Sequence, residues 1–253
     1  FPAFLHEQMS HTIKKIGKLH RIELPKPADW AIIKPDKEAN GMERKIIKLP
    51  SASGQISLTA VSGHFATNHS HVNYYIDMTD IKTNQRVADE IAKMLARQYS
   101  STTVVNAIVC LDSTQMIGGF LAQQLSQSGF RSLNRGEAIH VVTPEFNSFG
   151  QMMFRDNIRP LIRGKSVMLL MSSVTTGLTV EQGAECIEYY GGHLCGVSAI
   201  FSAVDRVDDT TIHSLFHIND LPDYESHNSA QCPACRRGER IEAIINGFGY
   251  LKI

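Results

Sequence analysis

The stretch from Val167 to Gly192, VMLLMSSVTTGLTVEQGAECIEYYGG, joins an apolar run, a hydroxyl-rich turn and a helical segment. The apolar run predicts a buried strand that ends just before the turn. The hydroxyls of Thr175, Thr176 and Thr179 could then face the first unpaired N–H groups of the helix, and Gly177 permits a close approach of backbone to ligand. This pattern predicts an anion site. Because threonines before a helix are also ordinary N-caps, capping remains an equal alternative.

A second group with possible chemistry is CPAC, in which Cys232 and Cys235 have the spacing that lets two thiolates bind one metal ion. A structural Zn²⁺ needs four ligands and there is no second CxxC, so His227 and another cysteine are candidates to complete the set. A plain turn and a redox pair are the alternatives. The remaining cysteines lie in apolar segments, which favours a reduced, cytoplasmic protein.

The elements that must position these groups alternate between strand and helix from residue 74 to about 202, which predicts a mainly parallel sheet with helices on both faces. We expect 1–73 to form an N-terminal helix (Pro2 to Gly17), an arm (Leu24 to Asn40) and hood strands. We expect 74–202 to be the α/β core, and 203–253 to complete the hood. The predicted strands are 45–49, 56–61, 74–76, 103–111, 138–142, 167–171 and 193–202, and the later helices are 84–98, 115–126 and 179–190.

Composition narrows the class of protein. The 253 residues are 43% hydrophobic and 20% charged, which is typical of a globular protein. Lys+Arg and Asp+Glu are both 25, so a broad nucleic-acid-binding or anionic-membrane surface is not expected. No apolar run approaches the roughly 18–20 residues of a membrane helix, and we see no signal peptide at the amino end.

Three segments together resemble a known family. Strand–turn–TTGLT–helix resembles the loop that binds 5-phosphoribosyl-1-pyrophosphate (PRPP) in type I phosphoribosyltransferases. HSHVNYYID at 69–77 and CPACRRG at 232–238 are similar to segments of the orotate branch, in the same order along the chain. The resemblance implies the type I fold with a small hood, a homodimer, and Mg²⁺ with PRPP, ribose phosphate or a nucleotide as ligands.

The resemblance also implies roles for particular residues. The 5-phosphate would lie against Ser173, Thr175, Thr176, Gly177, Leu178 and Thr179. The pyrophosphate loop would be Asp112, Ser113 and Thr114. A basic residue in the 69–77 segment would hold the base, so His69 or His71 could serve, with Tyr74 and Tyr75 packed behind. A metal-binding role and a plain position on a surface loop are the alternatives for the two histidines.

Three departures from the family bear on activity. Two adjacent carboxylates that hold the ribose hydroxyls are replaced by Met171 and Ser172. Losing two hydrogen bonds to charged groups would cost roughly 3–6 kcal/mol, on the order of 10²–10⁴ in affinity. The stretch Val142 to Phe154, where the family carries a cationic loop, has no Lys, Arg or His. Asp112 would repel a pyrophosphate unless a cation lay between them.

These departures leave three hypotheses. The first is an orotate phosphoribosyltransferase-like protein that binds a phosphorylated ribose or nucleotide without efficient transfer. The second is an active transferase that joins orotate or another base to ribose phosphate. The third is an interaction protein with a vestigial cavity.

Overall fold

The computed structural model describes residues 45–51, 54, 56–127, 132–221 and 223–253. The helix predicted for Pro2 to Gly17 and the arm predicted for Leu24 to Asn40 lie outside these residues. The strands are β1 (Ile46–Pro50), β2 (Ser57–Ala66), β3 (His71–Asp77), β4 (Ala107–Cys110), β5 (His140–Val142), β6 (Glu145–Phe146), β7 (Met152–Met153), β8 (Ser166–Val174), β9 (His193–Ser202), β10 (Arg206–Val207), β11 (Thr210–His217), β12 (Ser226–His227), β13 (Ala243–Asn246) and β14 (Gly249–Lys252).

The helices are α1 (Thr79–Thr83), α2 (Gln85–Tyr99), α3 (Gln115–Gln127), α4 (Leu178–Tyr189) and α5 (Pro233–Arg236). Single 3₁₀ turns occur at Arg159–Leu161, Ile218–Asp220 and Ser229–Gln231. Asn84 caps α2 by accepting a hydrogen bond from the backbone N–H of Arg86 at 3.1 Å. This cap fixes where the helix begins.

The core sheet has the strand order β10-β11-β9-β8-β4-β5. The strands from β11 to β5 are parallel to their neighbours, and β10 is antiparallel to β11. Alternate side chains of the buried central strands point to opposite faces. Ile108 and Leu170 pack with α2 and α3, whereas Val109 and Leu169 pack with α4. The predicted parallel sheet with helices on both faces is therefore confirmed.

The hood sheet has the order β12-β3-β2-β13-β14, and β1 also pairs with β2. Its antiparallel β1–β2 pair is the one predicted across SASG. β13, from the C-terminal segment, lies parallel to β2. The hood thus combines early and late segments of the chain, as expected.

Two strand placements require correction. Residues 74–76, predicted as the first core strand, belong to β3, which pairs with β2 because a short turn at 67–70 brings the two together as a hairpin. β11, within the segment assigned to the hood, joins the core sheet beside β9, where Ile212 and Phe216 are buried. The three-part domain division itself stays a prediction. The strand predicted at 103–111 is limited to β4 in the structure. The backbone N–H of Val105 donates to the side-chain oxygen of Asn134 and is therefore not available for strand pairing.

Candidate functional site

The turn between β8 and α4 has the geometry of a helix start that lacks a side-chain cap. Gly177 is the N-cap residue, with φ +92°, and no side chain accepts a hydrogen bond there. A Cβ at this position would overlap Cγ2 of Val207. Both the backbone conformation and the close packing therefore require glycine, and the threonines are not N-caps.

The first amides of α4 are left without partners. The Gly177 carbonyl accepts hydrogen bonds from the N–H groups of Val180 (2.8 Å) and Glu181 (3.1 Å). In the described ranges, none of the backbone N–H groups of 176–179 has a protein acceptor. Unpaired amides at a helix N-terminus attract anions through hydrogen bonding and the helix dipole.

The threonine hydroxyls are not equivalent. Thr175 hydrogen-bonds to the hydroxyl of Tyr224, whose pKa burial raises to about 12. Within the described part of the chain, the hydroxyls of Thr176 and Thr179 make no such bond. Thr176 is exposed and Thr179 is half-buried. Two of the three predicted hydroxyls are therefore available to a ligand.

This turn opens onto a cavity of about 380 Å³ between the core sheet and the hood. Hood residues, the turn after β4 and the β13–β14 turn complete its wall. Most of the predicted site residues line it: His69, Tyr74, Tyr75, Asp112, Ser113, Met171, Ser172, Ser173, Thr175, Thr176, Gly177 and Thr179. The structure thus brings segments more than 100 residues apart to one space.

The turn after β4 places a carboxyl group in the cavity wall. Asp112 and Ser113 have φ of +52° and +62°, in the left-handed region that non-glycine residues rarely adopt. The hydroxyl of Ser172 donates to Asp112 Oδ2 at 3.3 Å. Burial raises the pKa of the Asp112 carboxyl, while nearby Lys82 and the bonds from Ser172 act to lower it. A carboxyl group therefore lies beside Ser172, one of the two positions at which the resemblance would place an acid.

Lys82 on α1 is the one lysine or arginine among the described residues that line the cavity. Its Nζ donates to the carbonyl of Gly247 at 2.6 Å. Burial lowers the pKa of the Lys82 ammonium, and the carboxylates of Asp112 and Asp77 oppose this shift. No pattern in the chain singles this lysine out, because it lies on a short helix between two strongly periodic segments.

Two arginines that follow the stretch Val142 to Phe154 make contacts outside the cavity. Residues 142–154 contain the short ribbon β6–β7, and Arg155 makes a two-pronged bond to Glu145, with Nε 2.9 Å from each carboxylate oxygen. Arg159 pairs with Asp156 at 3.0 Å and lies over the ring of Tyr190. Neither arginine lines the cavity.

Three candidate side chains have their contacts outside the cavity. Thr114 is fully buried, and its hydroxyl donates to the carbonyls of Leu111 and Leu170, so it is structural. His71 faces away from the cavity and contacts Cys235. His227, proposed beside the CxxC, instead contacts its neighbour Glu225 at 3.0 Å. The sequence could not reveal which histidine meets the cysteines, because strand pairing decides it.

In sequence the chain is similar to orotate phosphoribosyltransferases. The chain is 22% identical over 200 residues to an orotate phosphoribosyltransferase of Helicobacter acinonychis, covering 74% of this chain and 93% of the relative. It is 24% identical over 199 residues to that of Sulfurimonas denitrificans, covering 74% and 92%. No family model matches the chain.

Solved structures also resemble the chain. Mycobacterium tuberculosis orotate phosphoribosyltransferase in complex with Fe(III) dicitrate has a TM-score of 0.44 at 12% identity, covering 71% of this chain and 91% of that one. Leishmania donovani UMP synthase has a TM-score of 0.46 at 13% identity, covering 64% and 34%.

A mainly parallel core sheet with a glycine-containing turn after its central strand β8, covered by a hood, is the α/β arrangement expected from the resemblance to the type I phosphoribosyltransferases. In sequence the chain is orotate phosphoribosyltransferase-like, since the curated relatives that it matches over most of their length carry that name. Among its described helices, none has the length and apolar character needed to cross a bilayer.

Proposed function

We propose that this protein binds a 5-phosphorylated ribose, as PRPP, ribose 5-phosphate or a nucleotide, and transfers the ribose poorly or not at all. The observation that carries the proposal is the set of unpaired amides at 176–179, which open with the hydroxyls of Thr176 and Thr179 onto one cavity. A phosphate dianion would accept hydrogen bonds from both kinds of donor. The cavity volume of about 380 Å³ lies within the usual range for small-molecule sites.

Poor transfer follows from the charges around the cavity. Departure of pyrophosphate requires positive groups held where negative charge develops. Lys82 lies in the cavity wall, and its ammonium group already donates a hydrogen bond to the carbonyl of Gly247. Asp112 lies in the wall as a carboxyl group, and when ionised it would repel pyrophosphate.

The ribose end is altered in a way that also supports this proposal. Met171 is 1% exposed and packs in the core cluster on the α4 side of the sheet. Ser172 is equally buried and its hydroxyl already donates to Asp112. Neither side chain offers the charged acceptor that would orient ribose hydroxyls.

The second candidate function is an active transferase. The observation that favours it is the carboxyl group of Asp112, 3.3 Å from the hydroxyl of Ser172, which brings an acid back to the altered ribose position from a different strand. With Mg²⁺ between it and pyrophosphate, Asp112 would help to hold the substrate. A third candidate, an interaction protein with a vestigial cavity, predicts no small-molecule binding.

Calorimetry separates binding from its absence. We expect heat with ribose 5-phosphate and PRPP, and none with unphosphorylated ribose. Thr176→Val and Thr179→Val each remove one hydroxyl with little change in shape. Each variant should weaken the binding of ribose 5-phosphate by about 10–150-fold, which corresponds to the free energy of one hydrogen bond to a charged group. Thr211→Val, at an exposed strand position away from the cavity, is the matched control. Absence of heat with every phosphorylated ligand would leave the interaction protein.

Turnover separates the first two candidates. PRPP consumption is followed with Mg²⁺ and a panel of bases that includes orotate. A rate near the usual enzyme range of about 1–10³ s⁻¹ would refute poor transfer and establish the second candidate. The family likeness further suggests a homodimer located in the cytoplasm, and sedimentation at several concentrations tests the dimer.

A further inference from the structure

Four potential metal ligands converge at the outer end of the hood, away from the cavity. They are His64 on β2, His71 on β3, and Cys232 and Cys235 on either side of the first turn of α5. Their ligand atoms all lie within 4.8 Å of one another. Only the two cysteines are close in sequence, so the fold itself assembles the group.

Four of the six distances between ligand atoms are close to the edges of a tetrahedron around one ion. Zn–N bonds of about 2.0–2.1 Å and Zn–S bonds of about 2.3 Å give edges of about 3.4 Å between two nitrogens and about 3.6 Å between nitrogen and sulfur. Here His64 Nε2 lies 3.2 Å from His71 Nδ1 and 3.5 and 3.7 Å from the sulfurs of Cys232 and Cys235. The sulfur of Cys235 lies 3.2 Å from His71 Nδ1.

The tautomer of His64 is fixed in the form that a metal ligand needs. Its Nδ1 donates to the backbone carbonyl of Glu239 at 3.2 Å, so the lone pair is on Nε2. Three other polar atoms, from His71, Cys232 and Cys235, surround that lone pair, which can accept only one good hydrogen bond. A cation at the centre accommodates all four groups, whereas a hydrogen-bonded network does not.

The backbone explains how the four residues meet. The register between β2 and β3 shifts by one residue between Ser62 and Phe65, so Ala66 lies opposite His71. His64, two positions before Ala66, then reaches the same face. In the short helix α5, with Pro233 in its first turn, cysteines three residues apart present both sulfurs to one side.

We propose that His64, His71, Cys232 and Cys235 bind one structural Zn²⁺. Two nitrogens and two sulfurs in tetrahedral array are typical of zinc. Zn²⁺ with two thiolates and two neutral imidazoles carries no net charge, which suits a site where His64 and Cys232 are almost fully buried. The ion fastens α5 to the β2–β3 hairpin, whose turn at 67–70 lines the cavity. The proposal holds whether or not the cavity binds a phosphorylated ribose.

Metal analysis of the full chain tests the proposal directly. Protein loaded with Zn²⁺ under reducing conditions and then desalted should hold one zinc per chain. Titration of the metal-free protein with Co²⁺ should produce the visible absorption of a tetrahedral cobalt thiolate and saturate at one equivalent. Zinc should also protect Cys232 and Cys235 from alkylation.

Substitutions of the proposed ligands test where the zinc ion binds. Cys235→Ser and His71→Asn should each weaken Zn²⁺ binding by at least about 100-fold, since even loss of an outer partner costs 10–100-fold. His227→Gln and Cys195→Ser are matched controls outside the cluster and should keep one zinc per chain. Wild-type protein that binds no Zn²⁺ and gives no tetrahedral Co²⁺ spectrum would overturn the proposal. So would full zinc retention in Cys235→Ser, or zinc loss in His227→Gln.

Discussion

Replacing Gly177 by alanine probes the geometry on which the anion site depends. The residue has φ +92°, which costs an L-residue about 1–2 kcal/mol. The added methyl would also overlap Cγ2 of Val207, and overpacking of this kind typically costs about 1–3 kcal/mol. We therefore expect Gly177→Ala to lower the free energy of unfolding by about 2–5 kcal/mol, to be measured by urea denaturation with the m-value monitored.

Two further variants divide this loss into its parts. Gly136→Ala has a similar φ of +77° with no atom within 4 Å of the new methyl, so it should lose only the backbone share of about 1–2 kcal/mol. Val207→Ala removes the overlapping methyls and leaves the Val207 Cβ 3.6 Å from the new one, an ordinary contact. Combined with Gly177→Ala, it should recover about 1–3 kcal/mol relative to additivity.

The same substitution should also affect ligand binding. Alanine at 177 would displace the amides of 176–179, so ribose 5-phosphate binding should weaken in Gly177→Ala and not in Gly136→Ala. If Gly177→Ala proves no less stable than Gly136→Ala, and the double variant with Val207→Ala is simply additive, the close packing described for this turn is refuted.

Three other predictions concern the core and the cavity wall. Gly118→Ala should lower the free energy of unfolding by about 1–3 kcal/mol because its methyl would overlap the sulfur of Cys110. Gly119→Ala, which faces open space on the same helix, should raise the free energy of unfolding by about 0.5–1 kcal/mol. Equal effects of the two substitutions in thermal melts would contradict this. Tyr99→Phe should cost about 1–3 kcal/mol in urea, because the buried hydroxyl bonds a backbone carbonyl at 3.0 Å and a serine at 2.8 Å. Burial raises the pKa of Asp112 above its ordinary 3.8, so the folded state holds this proton more tightly and the free energy of unfolding falls as pH rises from 3.8 to the folded-state pKa. Asp112→Asn should remove that part of the slope, and an unchanged pH profile would show that the carboxyl is not buried in solution.

Local patterns were sufficient to predict the central core strands and the helix that carries the candidate site. The apolar run at 167–171 and the caps and periodicity of the following helix depend on neighbours in the chain, so β8 and α4 were predicted within a few residues. The same is true of β9, predicted at its observed bounds. Gly177 was identified because glycine accepts a positive φ and lets the backbone approach a ligand closely.

Side chains brought together by pairing between distant strands were not predictable. Lys82 lies in the cavity wall with its Nζ bonded to the carbonyl of Gly247. Because this partner is 165 residues away along the chain, no local pattern predicts the contact. The cluster of His64 and His71 with the CxxC depends on a one-residue register shift in a hairpin, and such a shift decides which face a side chain occupies. Thr114 was assigned to the pyrophosphate loop by its position in the resemblance, but its buried hydroxyl donates to backbone carbonyls.

The parallel pairing of β13 with β2 has a consequence for how the chain folds. It joins Phe65 to Ala243, 178 positions apart (243 − 65), whereas the core pairs Ala107 with Val167 and Ser166 with His193 over much shorter loops. Closing a longer loop loses more chain entropy, and contacts between distant residues slow folding. The core can therefore nucleate first and bring the two remote strands near each other. The hood would then assemble late, against a core that is already folded.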